Sequence, residues 1–281
     1  MDVFALPATR ALLRAALDED LASGDLTSQL TVRPETRARA EIRTKEPVIL
    51  AGVPIVGRIV EAAGIDLRVD EVAKDGDRAG AGDLIARLSG NARNLLAIER
   101  VTLNFLQHLT GIATQTADFV ATVAGCGARI VDTRKTLPGL RTLQKYAVRM
   151  GGGFNHRQRL DDGILIKDNH IVAAGGIAAA VLAAQAGAPH GIKVEIECTT
   201  IGEVTEALNA GAEIILLDNM TIDELTRAVQ RIAGRALVEA SGGVTLGSVR
   251  AIAETGVDLI SIGALTHSVP AADIHMSLFL E

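Results

Sequence analysis

The sequence predicts an α/β protein whose larger part is a parallel-stranded α/β barrel that stops short of closure. Three observations lead there. From about Arg129 onward, short apolar runs alternate with helical stretches, and from Lys193 they recur about every 22 residues, the length of a compact βα unit. The stretches between them, TIGEVTEALNAG, TIDELTRAVQRIAG and TLGSVRAIAETG, each begin with Thr where an N-cap belongs and end in Gly where a helix stops. The first 110 or so residues lack any such period.

In that first part, Thr36–Leu50 alternates polar and apolar residues as a half-buried strand does. Val53–Ala63 reads as a helix stopped by Gly64. Asp66–Val72 and Asp83–Leu88 read as strands on either side of the turn-rich KDGDRAGAG. A long helix follows near Ala92–Leu109. Its apolar residues nearly encircle it, which predicts burial on several sides. Glu99 and Arg100 fall inside it, and by pattern alone they are an ion couple rather than charges aimed into a site. The second part supplies six strand runs: ARIVD at Ala128, GILIKDN at Gly163, KVEIE at Lys193, EIILLDN at Glu213, ALVEASGG at Ala236 and DLISIGA at Asp258. Six strands rather than eight leave the barrel incomplete, or leave two strands outside this pattern.

Composition narrows the function. The 281 residues include no Trp, one Tyr and five Phe, so the core is built from Ala, Val, Ile and Leu. The net charge is −6. Single-strand binders need stacking platforms and duplex binders need a basic surface, so nucleic acid is not expected as a partner. Cys126 and Cys198 have neither disulfide-framework nor metal-site spacing, and no basic region followed by an apolar run opens the chain; both features predict a cytoplasmic protein. Asn169–Ile192 carries no Asp, Glu, Lys or Arg, but its Gly, Pro and His residues and Ala-rich content predict a buried helix rather than a membrane span.

In a parallel barrel the active site lies at the carboxyl ends of the strands. Five of the six runs end in residues that are costly to bury: Asp132-Thr133-Arg134-Lys135, Lys167-Asp168-Asn169, Glu195 with Glu197, Asp218-Asn219, and Glu239 before Ser241-Gly242-Gly243. A single charged strand end merely starts a solvated loop, but five together predict a shared site. Arg129–His170 holds nine basic and four acidic residues, a net of +5 that leaves −11 for the rest. Such a concentration predicts a cleft for a small, highly charged anion, with Arg gripping carboxylate or phosphate. Arg141, Lys145 and Arg149, at i, i+4 spacing, read instead as helix-surface charges. Glycines after the last two strands, Gly242-Gly243 and Gly263, stand where barrels bind phosphate on backbone N–H groups. Glu197 and Asp218 close adjacent strands and suit sugar hydroxyls, Mg²⁺ or a developing positive charge; no transition-metal site is expected. Alternation puts Glu195 and Glu197 on one side of their strand without saying which.

The string DTRKTLPGLRTLQKYAVRMGGGFNHRQRLDDGILIKDNHI, Asp132–Ile171, closely resembles the quinolinate phosphoribosyltransferase family. So do DLTS at Asp25, NARNLLAIERVTLNFLQHLTGIAT from Asn91, VEIE at Val194, ILLDN at Ile215, VEASGG at Val238 and SIGALTHS at Ser261. The likeness spans nearly the whole chain and departs from the usual pattern mainly at Phe154 and Gln158-Arg159. It implies an N-terminal α/β sandwich domain over residues 1–111, to which a tail at 268–281 returns, and an open α/β barrel over 112–267. It also implies a homodimer with each active site shared between subunits. The implied reaction joins quinolinate to phosphoribosyl pyrophosphate with loss of CO₂, in de novo NAD biosynthesis. Arg134, Lys135, His156, Arg157 and Lys167 are then the cations for quinolinate, joined by Arg100 from the neighbouring subunit, which displaces the ion-couple reading. Glu197 and Asp218 hold ribose hydroxyls or Mg²⁺. Ser241, Gly242, Gly243 and Gly263 bind the 5-phosphate. The resemblance implies Lys135, Lys167, Glu197 and Asp218 as catalytic residues, Mg²⁺ arriving with phosphoribosyl pyrophosphate, and no organic cofactor. Two other readings fit the same barrel: a class I aldolase using Lys167 for a Schiff base, and an anion-binding homologue without catalysis.

Overall fold

In a computed structural model, which describes residues 2–281, the chain forms two compact units. One contains the chain up to Ala117 together with Thr136–Gly152 and Leu265–Glu281; the other contains Asp118–Lys135 and Gly153–Ala264.

The first unit begins with two helices that the hydrophobic period does not announce, α1 (Pro7–Leu21) and α2 (Leu26–Thr31). Their apolar stripes are narrow: α1 buries only Thr9, Leu13 and Leu17. Next come β1 (Arg37–Thr44), β2 (Val48–Ile49), α3 (Ile55–Ala63), β3 (Leu67–Glu71), β4 (Arg78–Ala79), β5 (Leu84–Asn91) and α4 (Ala92–Thr122). The stretch expected as one strand over Thr36–Leu50 is divided, because Pro47 has no N–H to donate and Thr44 Oγ1 closes a turn onto the Glu46 carbonyl at 2.7 Å. α3 ends at Gly64 in the left-handed conformation, φ 66°, as its Gly stop requires. The two-residue β4, inside the turn-rich stretch, pairs with β2. The final strand of the chain, Ile274–Leu280, pairs antiparallel with β1, and the four-stranded sheet runs from it through β1 and β5 to β3.

α4 continues thirteen residues beyond its expected end at Leu109. Gly111 does not stop it; that glycine lets another segment pass close, since a Cβ there would stand 2.2 Å from the Pro270 carbonyl oxygen. Later in this unit comes α5 (Arg141–Met150). Lys145, expected on the helix surface, is 1% exposed, so helical spacing concealed a buried charge.

The second unit is a six-stranded parallel sheet. Its strands are β6 (Arg129–Val131), β7 (Ile164–Ile166), β8 (Val194–Cys198), β9 (Ile214–Asp218), β10 (Leu237–Ser241) and β11 (Leu259–Ser261), all six at the expected runs. They lie in the order β6-β11-β10-β9-β8-β7, so the barrel is open between β6 and β7. Phe154 makes a single parallel bridge to Val131 beside β6. Helices α6 (Asp168–Ala174), α7 (Ile177–Gly187), α8 (Ile201–Asn209), α9 (Ile222–Ile232) and α10 (Val249–Glu254) connect the strands, and a four-residue helix, α11 (Ala264–His267), follows β11.

Thr200 and Thr221 cap α8 and α9 as expected, each accepting from the backbone N–H three residues on while that residue's Glu accepts from the Thr N–H. Thr245 does not cap α10. It closes a reciprocal turn with Ser248, and the helix starts only at Val249. The charge-free stretch expected as one buried helix forms α6 and α7, bent 91° apart; α6 buries nothing, and Val172 is 80% exposed. Among the described residues no single helix is long and apolar enough to cross a membrane, although this bent pair meets that test by length and composition.

Candidate active site

Strand alternation sorts the barrel residues into two sets. Val194, Ile196, Cys198, Ile215, Leu217, Val238, Ala240 and Ile260 alternate with the cavity-lining residues and are nearly fully buried, as a sheet covered by helices requires. The other set, including Glu197, Leu216, Asp218, Glu239, Ser241 and Ser261, lines a cavity of about 270 Å³ at the carboxyl ends of the strands. The interior of this barrel is thus polar where a closed barrel packs aliphatic layers.

The expected cations gather in that cavity. Arg134, Lys135, His156, Arg157 and Lys167 all line it. Arg134 follows β6, and its Nε is buried without a hydrogen-bond partner. Arg157 donates from its guanidinium to the Gly163 carbonyl at 2.9 Å; burial, and then the neighbouring Arg134 charge, push its pKa down. Two adjacent guanidiniums that repel each other form a site waiting for negative charge. Lys167 forms an ion pair with Glu197. A Schiff-base lysine needs a desolvated, activated amine, so this pairing and a 45% exposed side chain weigh against the aldolase reading.

His156 is held from both sides. Its backbone N–H donates to Asp132 Oδ1 at 2.9 Å, and Asn155 Nδ2 donates to the other oxygen of Asp132. Its Nδ1 accepts the Arg157 N–H at 2.7 Å, while Nε2 stands 3.1 Å from Glu195 and 3.8 Å from Glu239. His156, Glu195 and Glu239 bring one ligand-type atom each within 4.8 Å of one another. Glu239 is 1% exposed; burial first, and then the Glu195 charge, push its carboxyl up to about 7.

The glycine turn after β10 is built by close backbone packing. β9 is followed by Asn219, which has φ 56°, and its N–H donates to the Ser241 carbonyl at 2.9 Å. Its side-chain Nδ2 donates to Asp218 at 2.6 Å. Gly242 has φ 99°, and a Cβ there would lie 2.2 Å from Asn219 Oδ1, so glycine is required on both counts. Gly243 also has positive φ, 59°. The Gly242-Gly243 turn does not open directly onto α10, because Val244–Ser248 intervene, whereas Gly263 runs straight into α11.

Of the expected site residues, eight line the one cavity: Arg134, Lys135, His156, Arg157, Lys167, Glu197, Asp218 and Ser241. Gly242, Gly243 and Gly263 adjoin it in the chain without lining it. Arg100 is not among these residues: it belongs to the first unit, on α4, is exposed, and makes no ion pair with Glu99. Sequence reasoning missed Asp132 as the buried support of His156, although an Asp directly after β6 was the available signal. It also left Glu195 and Glu239 open; contact with His156 places both on the barrel interior.

The chain matches the family model "Quinolinate phosphoribosyl transferase, N-terminal domain" over residues 25–110 and the corresponding C-terminal domain model over residues 112–277. It is 44% identical, over 97% of its length and 94% of the relative's, to a probable nicotinate-nucleotide pyrophosphorylase [carboxylating] of Bacillus subtilis. It is also 44% identical to the nicotinate-nucleotide pyrophosphorylase [carboxylating] of Mycobacterium leprae, covering 96% of this chain and 97% of that one. Among solved structures, the nicotinate-nucleotide pyrophosphorylase of Ehrlichia chaffeensis superposes with a TM-score of 0.91 at 40% identity, covering 96% and 98% of the two chains.

Proposed function

Because the chain belongs to the quinolinate phosphoribosyltransferase family, we propose that it transfers the phosphoribosyl group of phosphoribosyl pyrophosphate to quinolinate and releases pyrophosphate, CO₂ and nicotinate mononucleotide, a step of NAD biosynthesis. The observation that carries this reading is the composition of the cavity at the carboxyl ends of the strands, where four Arg and Lys side chains gather with the Glu197 and Asp218 carboxylates. A dianionic pyridine acid needs the first group, and a ribose with developing positive charge needs the second.

Arg134 and Arg157 are the forks for the two quinolinate carboxylates, with Lys135 and Lys167 adding charge. His156 shapes this wall: its Nδ1 already accepts the Arg157 N–H, so it orients the ring more than it neutralises a carboxylate. With both carboxylates held, the ring nitrogen points at the ribose anomeric carbon, and proximity alone removes much of the barrier. As the pyrophosphate bond breaks, the sugar takes oxocarbenium character, which the Glu197 carboxylate stabilises from the ribose side. Asp218 meets Asn219 and not a cation, so its oxygens fit a hard ion, and it is the residue that would hold Mg²⁺. Bound there, Mg²⁺ supplies neutralisation of the leaving pyrophosphate. The quaternised nitrogen then stabilises the electron pair left on the neighbouring carbon when CO₂ departs.

We further infer a homodimer in which Arg100 serves the partner's cavity. The first unit supports it with a groove of about 350 Å³ lined by Leu12, Val101, Phe105 and Leu140 on and beside α4, and with Leu26 and Leu30 exposed on α2. The unpaired Cys126 and Cys198 fit a cytoplasmic location. Incubation with phosphoribosyl pyrophosphate, Mg²⁺ and either quinolinate or nicotinate tests the function. Quinolinate should give nucleotide and CO₂ in equal amounts. Reaction with nicotinate alone overturns the substrate, and binding of quinolinate without turnover overturns the enzyme.

A further inference from the structure

The substrate cavity has a floor, and another cavity lies behind it. At the amino ends of the strands is a space of about 370 Å³, bordered by Arg129 and Lys193, both exposed. Glu239 and His156 line both cavities, and Glu195 lines the rear one. The side chain of Glu239 therefore touches the substrate space on one side and a route to solvent on the other. Its Oε1 has no hydrogen-bond partner. A buried carboxylate oxygen without a donor is costly unless it carries a proton or meets one.

Resting on quinolinate as the acceptor, we propose that Glu239 is the acid that protonates the ring carbon from which CO₂ departs, and that the rear cavity is where it recovers its proton. The balance requires such a group. The bond from ring C2 to its carboxyl carbon breaks, the electron pair stays on C2, and CO₂ leaves. That pair takes the proton of the Glu239 carboxyl, leaving a carboxylate, which regains a proton from water entering from the rear. Nothing is oxidised or reduced. Two other kinds of group in the cavity are less suited. Arginine does not give up its proton, and the Lys167 ammonium is engaged by Glu197.

The groups facing Glu239 set its protonation. Glu195 from β8 and burial favour the neutral acid, while His156, Lys167 and the Ser261 hydroxyl favour the carboxylate. The first pair dominates, so the carboxyl sits near 7 and the acid form is present around neutral pH. The best general acid has its pKa near the working pH.

The test is Glu239→Gln, which keeps the shape and removes the acid. In the wild type, pyrophosphate and nicotinate mononucleotide should appear in equal amounts. In the variant, kcat should fall by about 100-fold or more, the low end for a general acid, and KM should fall with it, leaving kcat/KM within about threefold because the transfer step is intact. Pyrophosphate should appear in a burst that outruns nicotinate mononucleotide, because transfer still occurs while the carboxylated nucleotide accumulates; mass spectrometry of the quenched mixture detects it. Wild-type kcat should decline as pH rises through about 7, and in Glu195→Gln that decline should move to lower pH. Either of two results overturns the proposal: Glu239→Gln turning over within about threefold of wild type, or a folded variant losing pyrophosphate and nucleotide together. If wild-type protein itself fails to consume quinolinate, the function assigned above falls instead.

Discussion

Arg134 shows how much a single side chain can decide. Its buried Nε has no partner, and its charge and that of Arg157 repel each other. A guanidinium held in that state gains a bidentate partner only when a carboxylate arrives. Arg134→Ala should therefore weaken quinolinate by about 1.5–3 kcal/mol, a rise in KM of about 10- to 100-fold, and leave phosphoribosyl pyrophosphate nearly unchanged. Steady-state KM values for both substrates check this, and equal losses would remove Arg134 from the carboxylate site. Glu239 makes a second prediction, on stability. Its carboxyl is raised from 4.5 to about 7 in the folded protein, so folding takes up a proton in that window. The neutral acid costs least below the unfolded value, and the penalty grows as pH rises towards 7. Urea midpoints of the wild type should thus fall from pH 4.5 to 7 more steeply than those of Glu239→Gln, in which the penalty is absent.

At the scale of elements, Thr221 illustrates a signal that depends on a few neighbouring residues. It accepts from the Glu224 N–H and its own N–H reaches the Glu224 carboxylate, so both bonds are set within four residues. Thr221→Ala should lower unfolding free energy by about 1 kcal/mol, read from the denaturant midpoint, with kcat unchanged because neither Thr221 nor any α9 residue lines the cavity. The same reasoning explains what was legible in the sequence. The strands were readable because period-2 alternation and buried parallel runs are properties of the segment itself. The start of α10 was not, because TLGS offers Ser248 where the other two stretches offer Glu, and the Thr245–Ser248 turn satisfies itself without a helix. The helix expected near Ala92–Leu109 runs on past Gly111, and the close passage that glycine permits was not legible, since the Pro270 carbonyl is 159 positions away in the chain. The cation cluster was legible from charge density. The placement of Glu195 and Glu239 on the interior was not, because alternation fixes the two faces of a strand and leaves open which one the barrel encloses.

At the scale of the whole molecule, Arg100 is the residue that one chain does not account for. It is exposed on α4 in the first unit, whereas every cation lining the cavity belongs to the second. An exposed arginine within a largely buried helix has either a solvent role or a client elsewhere, and a second copy of the chain supplies that client. Two-fold symmetry makes the consequence countable. Arg100→Ala subunits keep Lys167, and Lys167→Ala subunits keep Arg100. In a mixed dimer one site combines the intact Lys167 with the intact Arg100 of its partner, and the other site carries both defects. Equal mixing gives half mixed dimers, so about one quarter of all sites should be restored from two inactive parents. Activity after unfolding and refolding the mixture, with hybrid dimers verified by differently tagged subunits, measures it. No recovery would mean that Arg100 serves its own chain or none. Recovery near one quarter would also show that the positive cavity of a chain with net charge −6 is completed by a cation from another copy.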